Sequence, residues 1–596
     1  MAHVGDLIAE MLAQYGVEVV YGMPGGQTAA LHDGISRRSN RIKHVLMRDE
    51  RNAGYAADAY ARVTGKPGVC DVTVGPGTNL LPAGFFEALN ASIPLIGIVG
   101  EMPQDWLTLK DKGIASQGFD QVTFLKSCSK DVWTVPSVAA LPEILRTAFR
   151  VATSPRPGPV AVIIPHDIMD AEWDEISQPV LIDERASEAP YLRSLPPVRD
   201  IDRAAALIRK SKRPAIVCGG GVHGSKAAEE VTAFVDRLGG LAVTSLSGKG
   251  AIPETRDYAA GVLNPLGSWA AIELIKEADL IIWCGSKVSQ NTGMNWTLPT
   301  ASQATITIDC DPLEHGRTFK PTVPLLGDVR ETIIALDAAL GESLAGSKPE
   351  WDKRIAEIKA EGEAQKAVEI ASDAVPISPP RVMDEVRKRL GDDDIVVSDA
   401  SFAAGWIAGY IPATRPGRQF LYARGQGGLG YSVPGAIGVA AVRPEARVIT
   451  VAGDGAFSYT VGELTTMAYN NQRVVNVVLN NGRLGWINLW QTLYFKDNVQ
   501  STTLETPESV PGYAAAAEAL GLKGIYVDKP EDIGKALDEA FAHHGPSVVE
   551  VRISELATPI HSFKRRMAQK GKAGEEDTPR PGTVYKLRDW KISPDM

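Results

Sequence analysis

The sequence predicts an α/β protein made of three Rossmann-like α/β domains with parallel sheets. Two observations carry that reading. Short apolar runs alternate with longer segments of helix-forming composition, and a strand–helix–strand unit with a right-handed crossover makes its two strands parallel. The alternation also falls into three blocks separated by Pro-rich or charged connectors, which suits sheets covered by helices on both faces. A length of 596 residues agrees, since it exceeds what one hydrophobic core sustains.

The first block spans residues 1–180. A strand is expected at Val45-Leu46-Met47, running into Arg48-Asp49-Glu50 and an Ala-rich helix from Arg51 to Arg62. The block closes with Pro155-Arg156-Pro157-Gly158-Pro159 and the strand Val160–Pro165. Residues 181–198, with Pro190, Pro196 and Pro197, read as a surface linker. The second block, 199–345, opens with a helix followed by Pro214–Cys218 and Gly219-Gly220-Gly221, with later strands at Leu280–Trp283 and Ala304–Asp309. A charged helical stretch from Trp351 to Ile370, then Pro376, Pro379 and Pro380, forms the next connector. The third block spans 381–556. The remainder, 557–596, carries Lys564-Arg565-Arg566, Lys570, Lys572 and several prolines, and reads as a solvated tail or a lid.

Composition excludes several classes of function. The chain is 44% hydrophobic and 22% charged, which is globular, and 57 Gly with 39 Pro supply its turns. No run approaches the ~18 apolar residues of a membrane span, so no membrane role is expected, and the opening residues do not read as a signal peptide. The net charge of −10 opposes nucleic-acid binding. Cys70, Cys128, Cys218, Cys284 and Cys310 are widely spaced, most in or beside apolar runs, so reduced buried thiols and a cytoplasmic setting are expected.

The chemistry concentrates in the third block. Gly453-Asp454-Gly455 closes the apolar run Val448–Ala452, and Asn480-Asn481 closes Val474–Leu479, with a helix expected between at Thr460–Asn470. Asp454 and Asn481 then leave one carboxyl edge of a sheet side by side, where open α/β sheets bind ligands. A carboxylate and an amide oxygen are hard donors suited to Mg²⁺ that also holds phosphate oxygens. Gly455 lets backbone N–H groups approach an anion. Taken singly, Asp-Gly is a turn signal and Asn-Asn a strand end; the spacing and the shared edge favour a site.

This spacing resembles the diphosphate-anchoring motif of thiamine diphosphate enzymes. The first block is similar to that of the acetolactate synthase group through Tyr21-Gly22-Met23-Pro24-Gly25-Gly26, Arg48–Arg62, Gly65–Cys70, Val74–Asn79 and Ile93-Pro94-Leu95. The resemblance covers about residues 3–560. It implies a pyrimidine-binding first domain, a central domain and a diphosphate-binding third domain, with thiamine diphosphate and Mg²⁺ as cofactors. Glu50 matches the glutamate that hydrogen-bonds the cofactor's pyrimidine and handles the proton needed for activation. Pro24, Gly25, Ser401, Phe402, Ala403, Gly427, Leu429, Gly453, Gly455 and Ala456 match cofactor contacts. Asp454, Asn481 and the main-chain carbonyl of Arg483 match the metal shell, and Gly26, Phe119 and Trp490 the substrate side. Glu50 and Asp454 meet across a subunit interface in this family, which implies a homodimer or homotetramer.

The chain also departs from that pattern. Asp49 stands where the group has His. Leu429, preceded by Gly-Gln, looks more like glyoxylate carboligase, which lacks the activating glutamate. Gly219–Gly221 and Asp309–Pro312 fit a dinucleotide pattern, making FAD a candidate ligand, yet residues 285–291 carry no arginine where acetolactate synthases grip the acceptor carboxylate. The expected reaction is decarboxylation of a 2-oxo acid with transfer of the acyl carbanion to an acceptor. Simple decarboxylation, acyl-CoA lysis, an FAD-dependent oxidase and a catalytically silent homologue remain alternatives.

Overall fold

The computed structural model describes residues 2–110, 113–174, 180–344, 348–495, 498–505, 512–561 and 564. Three six-stranded sheets follow one another along the chain, and every paired strand is parallel to its neighbour. The first contains β1 (Val19–Gly22), β2 (Lys43–Leu46), β3 (Gly68–Val72), β4 (Leu95–Glu101), β5 (Asp131–Thr134) and β6 (Pro159–Pro165), in the order β2-β1-β3-β4-β6-β5. The second contains β7 (Pro214–Cys218), β8 (Leu241–Thr244), β9 (Ala259–Val262), β10 (Leu280–Cys284), β11 (Ala304–Asp309) and β12 (Val323–Leu326), ordered β12-β11-β10-β7-β8-β9. The third contains β13 (Ile395–Ser398), β14 (Phe420–Tyr422), β15 (Val448–Gly453), β16 (Val474–Asn480), β17 (Lys523–Val527) and β18 (Ser547–Arg552), ordered β14-β13-β15-β16-β18-β17.

Central strands such as β4, β6 and β16 are buried along their whole length. That is why they read as unbroken apolar runs: helices cover both faces of a parallel sheet. The expected Thr460–Asn470 helix is instead a short 3₁₀ turn, Val461–Glu463, followed by the helix Leu464–Tyr469. The break has a visible cause. Glu463 is buried and accepts the Arg48 N–H at 2.8 Å, the Asn52 amide at 2.9 Å and the Thr466 hydroxyl at 2.7 Å, so its side chain is committed to the first block.

The first and third sheets are locked together by two helices at close range. Glu50–Thr64 starts at Asp49, which caps the Arg51 N–H at 2.8 Å, and stops at Gly65 with φ +78°. It lies against Ser432–Ala440, where a Cβ on Gly438 would sit 2.2 Å from the Ala56 carbonyl oxygen. Only glycine allows that approach. Beside it, the Tyr431 hydroxyl donates to Asp58 at 2.6 Å, and Arg62 donates to Asp58 at 2.6 Å and Glu87 at 2.9 Å. Removing one partner from a buried ion network of this kind is strongly destabilising, because it leaves the other charge uncompensated.

No helix among the described residues is long and apolar enough to cross a membrane. The five cysteines are free, four of them buried. Most of the expected tail lies outside the described residues. At its start, Ile560 is buried with Leu266, Leu489 and Leu493, and Lys564 pairs with Glu369.

Candidate active site

β15 and β16 are adjacent, in a register that sets Gly453 beside Leu479. Asp454 and Asn481 therefore emerge together at one carboxyl edge, as the sequence predicts. Asp454 is 2% exposed and Asn481 7%. The Asp454 carboxylate accepts the Gly455 N–H at 2.8 Å and the Gly482 N–H at 2.7 Å. Burial nonetheless pushes its carboxyl up to about 6, the backbone donors only partly opposing this. A buried carboxylate so placed gains most from an added cation.

The two asparagines have different duties. Asn480 is wholly buried, donating to Glu550 at 2.6 Å and accepting from Gly482 N–H at 2.9 Å, which fixes the strand end. Asn481 faces the site, and its Oδ1 accepts the Arg483 N–H at 3.1 Å. Gly485 approaches so closely that a Cβ there would lie 2.8 Å from the Asn481 amide nitrogen.

These groups line a cavity of about 490 Å³ that also holds Ser401, Phe402, Ala403, Gly427, Leu429, Gly453, Gly455, Ala456 and Arg483. At Gly453 and Gly427 a Cβ would meet nothing within 4 Å, so both glycines bare backbone to the cavity. Ser401 holds φ +66° and ψ −142°, a costly backbone state for a non-glycine residue, about 1–3 kcal/mol. It begins the helix Phe402–Tyr410, whose first N–H groups have no intrahelical partner. Carboxylate, amide oxygen, bare glycines and a helix start fit a diphosphate carried with a divalent cation.

Several lining or supporting residues escaped the sequence reading. Asp399 is buried at the end of β13 and accepts from Ala400 N–H at 2.9 Å, Gly430 N–H at 3.0 Å, Ser432 N–H at 2.9 Å and Ser432 Oγ at 2.8 Å. Burial raises its carboxyl even so. Glu87, from the first block, accepts the N–H groups of Gly425 and Gln426, both at 2.8 Å. Trp486 lines the cavity and stacks on Phe402 with ring centroids 5.5 Å apart. The only signal for these was position: Asp399 follows a strand end and Trp486 stands at a helix start, whereas Glu87 lies inside the helix Pro82–Ala91 with no local mark.

The other expected residues lie elsewhere in the chain. Glu50, 7% exposed, heads its helix near Gly77, and burial raises its carboxyl, helped by the charges of Asp49 and Asp71. Neither it nor Pro24, Gly25, Gly26 or Phe119 lines the Asp454 cavity of the same chain. Gly26 is open, with nothing near a Cβ, whereas Gly25 is pressed against Thr73. Phe119 makes an edge contact with Phe124. Trp490 stacks on Tyr494 at 4.7 Å and packs beside Leu489, Leu493 and Ile560 rather than in the cavity wall.

A larger cavity of about 640 Å³ opens between the three sheets. Gly219 and Gly221 line it, and a Cβ on either would strike the Gly285 backbone, at 2.2 Å and 2.8 Å. Lys287 also lines it, donates to the Asn90 carbonyl at 2.6 Å and is lowered to about 8 by burial. Asn291, Arg424 and Gly425 line both cavities. Arg424 Nε is buried without a hydrogen-bond partner.

A sheet edge that presents a buried acid and an amide over bare glycines suits an α/β enzyme that binds a diphosphate. The family descriptions agree in chain order: the N-terminal TPP binding domain of thiamine pyrophosphate enzymes matches residues 2–124, their central domain 201–336, and their C-terminal TPP binding domain 399–551. The chain belongs to the thiamine pyrophosphate enzyme family and is a thiamine diphosphate-dependent, acetolactate synthase-like transferase. It is 31% identical to the acetolactate synthase large subunit of Corynebacterium glutamicum, over 92% of this chain and 86% of that protein. It is equally 31% identical to the acetolactate synthase isozyme 2 large subunit of Escherichia coli, over 92% and 95%. The probable acetolactate synthase large subunit of Methanocaldococcus jannaschii is 31% identical, over 92% and 91%.

Proposed function

We propose that the enzyme decarboxylates a 2-oxo acid and transfers the resulting acyl carbanion to an acceptor, with Mg²⁺ holding the diphosphate. The observation that carries this is the convergence of Asp454 and Asn481 on one cavity floored by Gly453 and Gly427. Asp454, Asn481 and the Arg483 carbonyl would hold the ion, and the backbone at Ser401–Ala403 would donate to phosphate oxygens. When bound, thiamine diphosphate supplies the electron sink for breaking and making the carbon–carbon bond. Leu429 would support the cofactor's middle from the glycine-rich turn. Glu50 would complete the site from the partner subunit, holding a proton at the pyrimidine; its separation from the Asp454 cavity within one chain supports a two-fold dimer.

Arg424 is our candidate for the substrate carboxylate, because its buried guanidinium edge has an unmet donor at the wall of the cavity. No cation of residues 285–291 lines the smaller cavity, since Lys287 lines the larger one. That favours an aldehyde or other uncharged electrophile as acceptor over a second 2-oxo acid. The larger cavity, with its glycine turn and cations that include Lys287, Arg330 and Arg418, is assigned a dinucleotide, FAD being the candidate. Product analysis by mass spectrometry across paired donors and acceptors tests the reaction. Efficient condensation of two pyruvates would overturn the acceptor assignment, and a colourless holoenzyme would overturn FAD.

A further inference from the structure

A second cluster of metal-ligating side chains lies in the first sheet, apart from the residues around Asp454. His44 on β2 and His32 on the helix Ala29–Ser36 turn their Nε2 atoms onto Asp71 of β3. His44 Nε2 lies 2.7 Å from Asp71 Oδ1, and His32 Nε2 lies 2.9 Å from Oδ2. One ligand atom from each residue falls within 4.8 Å of the others. The imidazole rings meet edge to face, with centroids 4.4 Å apart.

The sheet makes room for this cluster. Asp71 is opposite Gly22 of β1, where a Cβ would sit 2.1 Å from Asp71 Oδ1. A glycine on β1 therefore lets the carboxylate lean across the strand toward β2. The Asp71 side chain is wholly buried, while His32 and His44 are 18% and 14% exposed. Among the described residues the carboxylate bonds only these two imidazoles, with no lysine or arginine beside it. The two imidazoles satisfy its hydrogen bonds, and an added cation would strengthen the hold on this buried carboxylate.

We propose that His32, His44 and Asp71 bind one divalent transition-metal ion of the zinc class, at a site separate from the diphosphate's cation. Imidazole donors select zinc-class ions over Mg²⁺, which prefers an all-oxygen octahedron. Metal–ligand bonds of about 2.0–2.1 Å place tetrahedral donors roughly 3.3 Å apart, so the two imidazole–carboxylate pairs, now at 2.7 and 2.9 Å, open by a few tenths of an ångström (~0.5 Å) to admit the ion. Each imidazole shifts its remaining proton to Nδ1 on binding, and water completes the shell through the exposed edge of the histidines. The ion would clamp β2, β3 and the Ala29–Ser36 helix. β2 runs on into Asp49 and Glu50, and β3 into Thr73, whose side chain crowds both Gly25 and Gly77. The clamp thus fixes the segments around Glu50 without touching substrate.

The test is a Co²⁺ titration of chelator-stripped protein reloaded with saturating thiamine diphosphate and Mg²⁺, read by ligand-field absorption and by metal analysis after desalting. One Co²⁺ per chain, displaced by Zn²⁺, is expected. Affinity should fall more than about tenfold in H32N and uptake should vanish in H32N/H44N. Asp454→Asn should keep this uptake, which separates it from the proposed function. No retained ion in the wild type, or equal uptake by H32N/H44N, overturns the site and leaves a hydrogen-bonded cluster only. If the double variant does not fold, X-ray absorption on Zn²⁺-loaded wild type decides: a shell without two imidazoles overturns the proposal.

Discussion

Asp399 accepts the backbone N–H of Gly430 at 3.0 Å, so the turn after β13 and the turn bearing Leu429 are one rigid piece. The same carboxylate holds Ser432 at both its N–H and its hydroxyl, and thereby the start of the helix that packs on the first block. Removing it leaves several donors without an acceptor. Asp399→Ala should cost about 3 kcal/mol or more, visible as a lower midpoint in denaturant with an unchanged slope. Asp399→Asn should recover part of that loss, because one amide oxygen remains.

Asp454→Ala should abolish Mg²⁺-dependent retention of thiamine diphosphate and reduce turnover by more than about a hundredfold. The apoprotein should change little in stability, since relief of a buried charge offsets the loss of the bonds from the Gly455 and Gly482 N–H groups. Calorimetric titration of the cofactor, with Mg²⁺ present or chelated, reads the first effect and thermal unfolding the second. Normal cofactor binding in this variant would remove Asp454 from the metal shell.

Complementation tests where Glu50 acts. Glu50→Gln and Asp454→Ala chains should each be nearly inactive alone. Mixed and allowed to exchange, they should recover up to about a quarter of wild-type activity, because half the dimers are mixed and one of their two sites is intact. No recovery, despite mixed dimers seen by native mass spectrometry, would place both residues of a site in one chain.

The pH dependence should follow the charges around Glu50. Asp49 and Asp71 both raise its carboxyl, so a neutral amide at either position makes the ionised form less costly. Asp49→Asn keeps the helix cap, as Asn caps as well as Asp. The pKa assigned to Glu50 in the profile of kcat/KM should therefore move down in Asp49→Asn. An upward shift or none would mean that the profile reports another group.

Arg424→Met should raise KM for the 2-oxo acid at least tenfold while thiamine diphosphate affinity stays within about twofold, the pattern expected when a carboxylate loses a charged partner. Loss of cofactor or flavin affinity instead would give Arg424 to the nucleotide cavity.

Much of this architecture was legible in the residues. The runs at Val448–Ala452 and Val474–Leu479 became β15 and β16 within a residue, because strands buried on both faces carry an uninterrupted apolar signal. Gly453, Asp454 and Asn481 were legible for a related reason: strand ends at a parallel edge are where chain direction and function coincide. Glu463 was read as helix interior, but its bonds to Arg48 and Asn52 lie over 400 residues away in sequence and no local pattern encodes them. The same holds for Glu87 beneath Gly425 and for Asp71, an acid in an otherwise apolar strand whose partners come from two other elements. Trp490 was assigned to the substrate side on resemblance, whereas Trp486, four residues earlier, is the tryptophan that lines the cavity.

Asn291 stands in the walls of both cavities, next to Arg424 and Gly425. A molecule lodged in the larger chamber therefore touches the smaller one without resembling anything that reacts there. Inhibitor design gains a foothold from this. Compounds shaped for the inter-sheet chamber would press on the wall of the smaller cavity while avoiding its glycine floor.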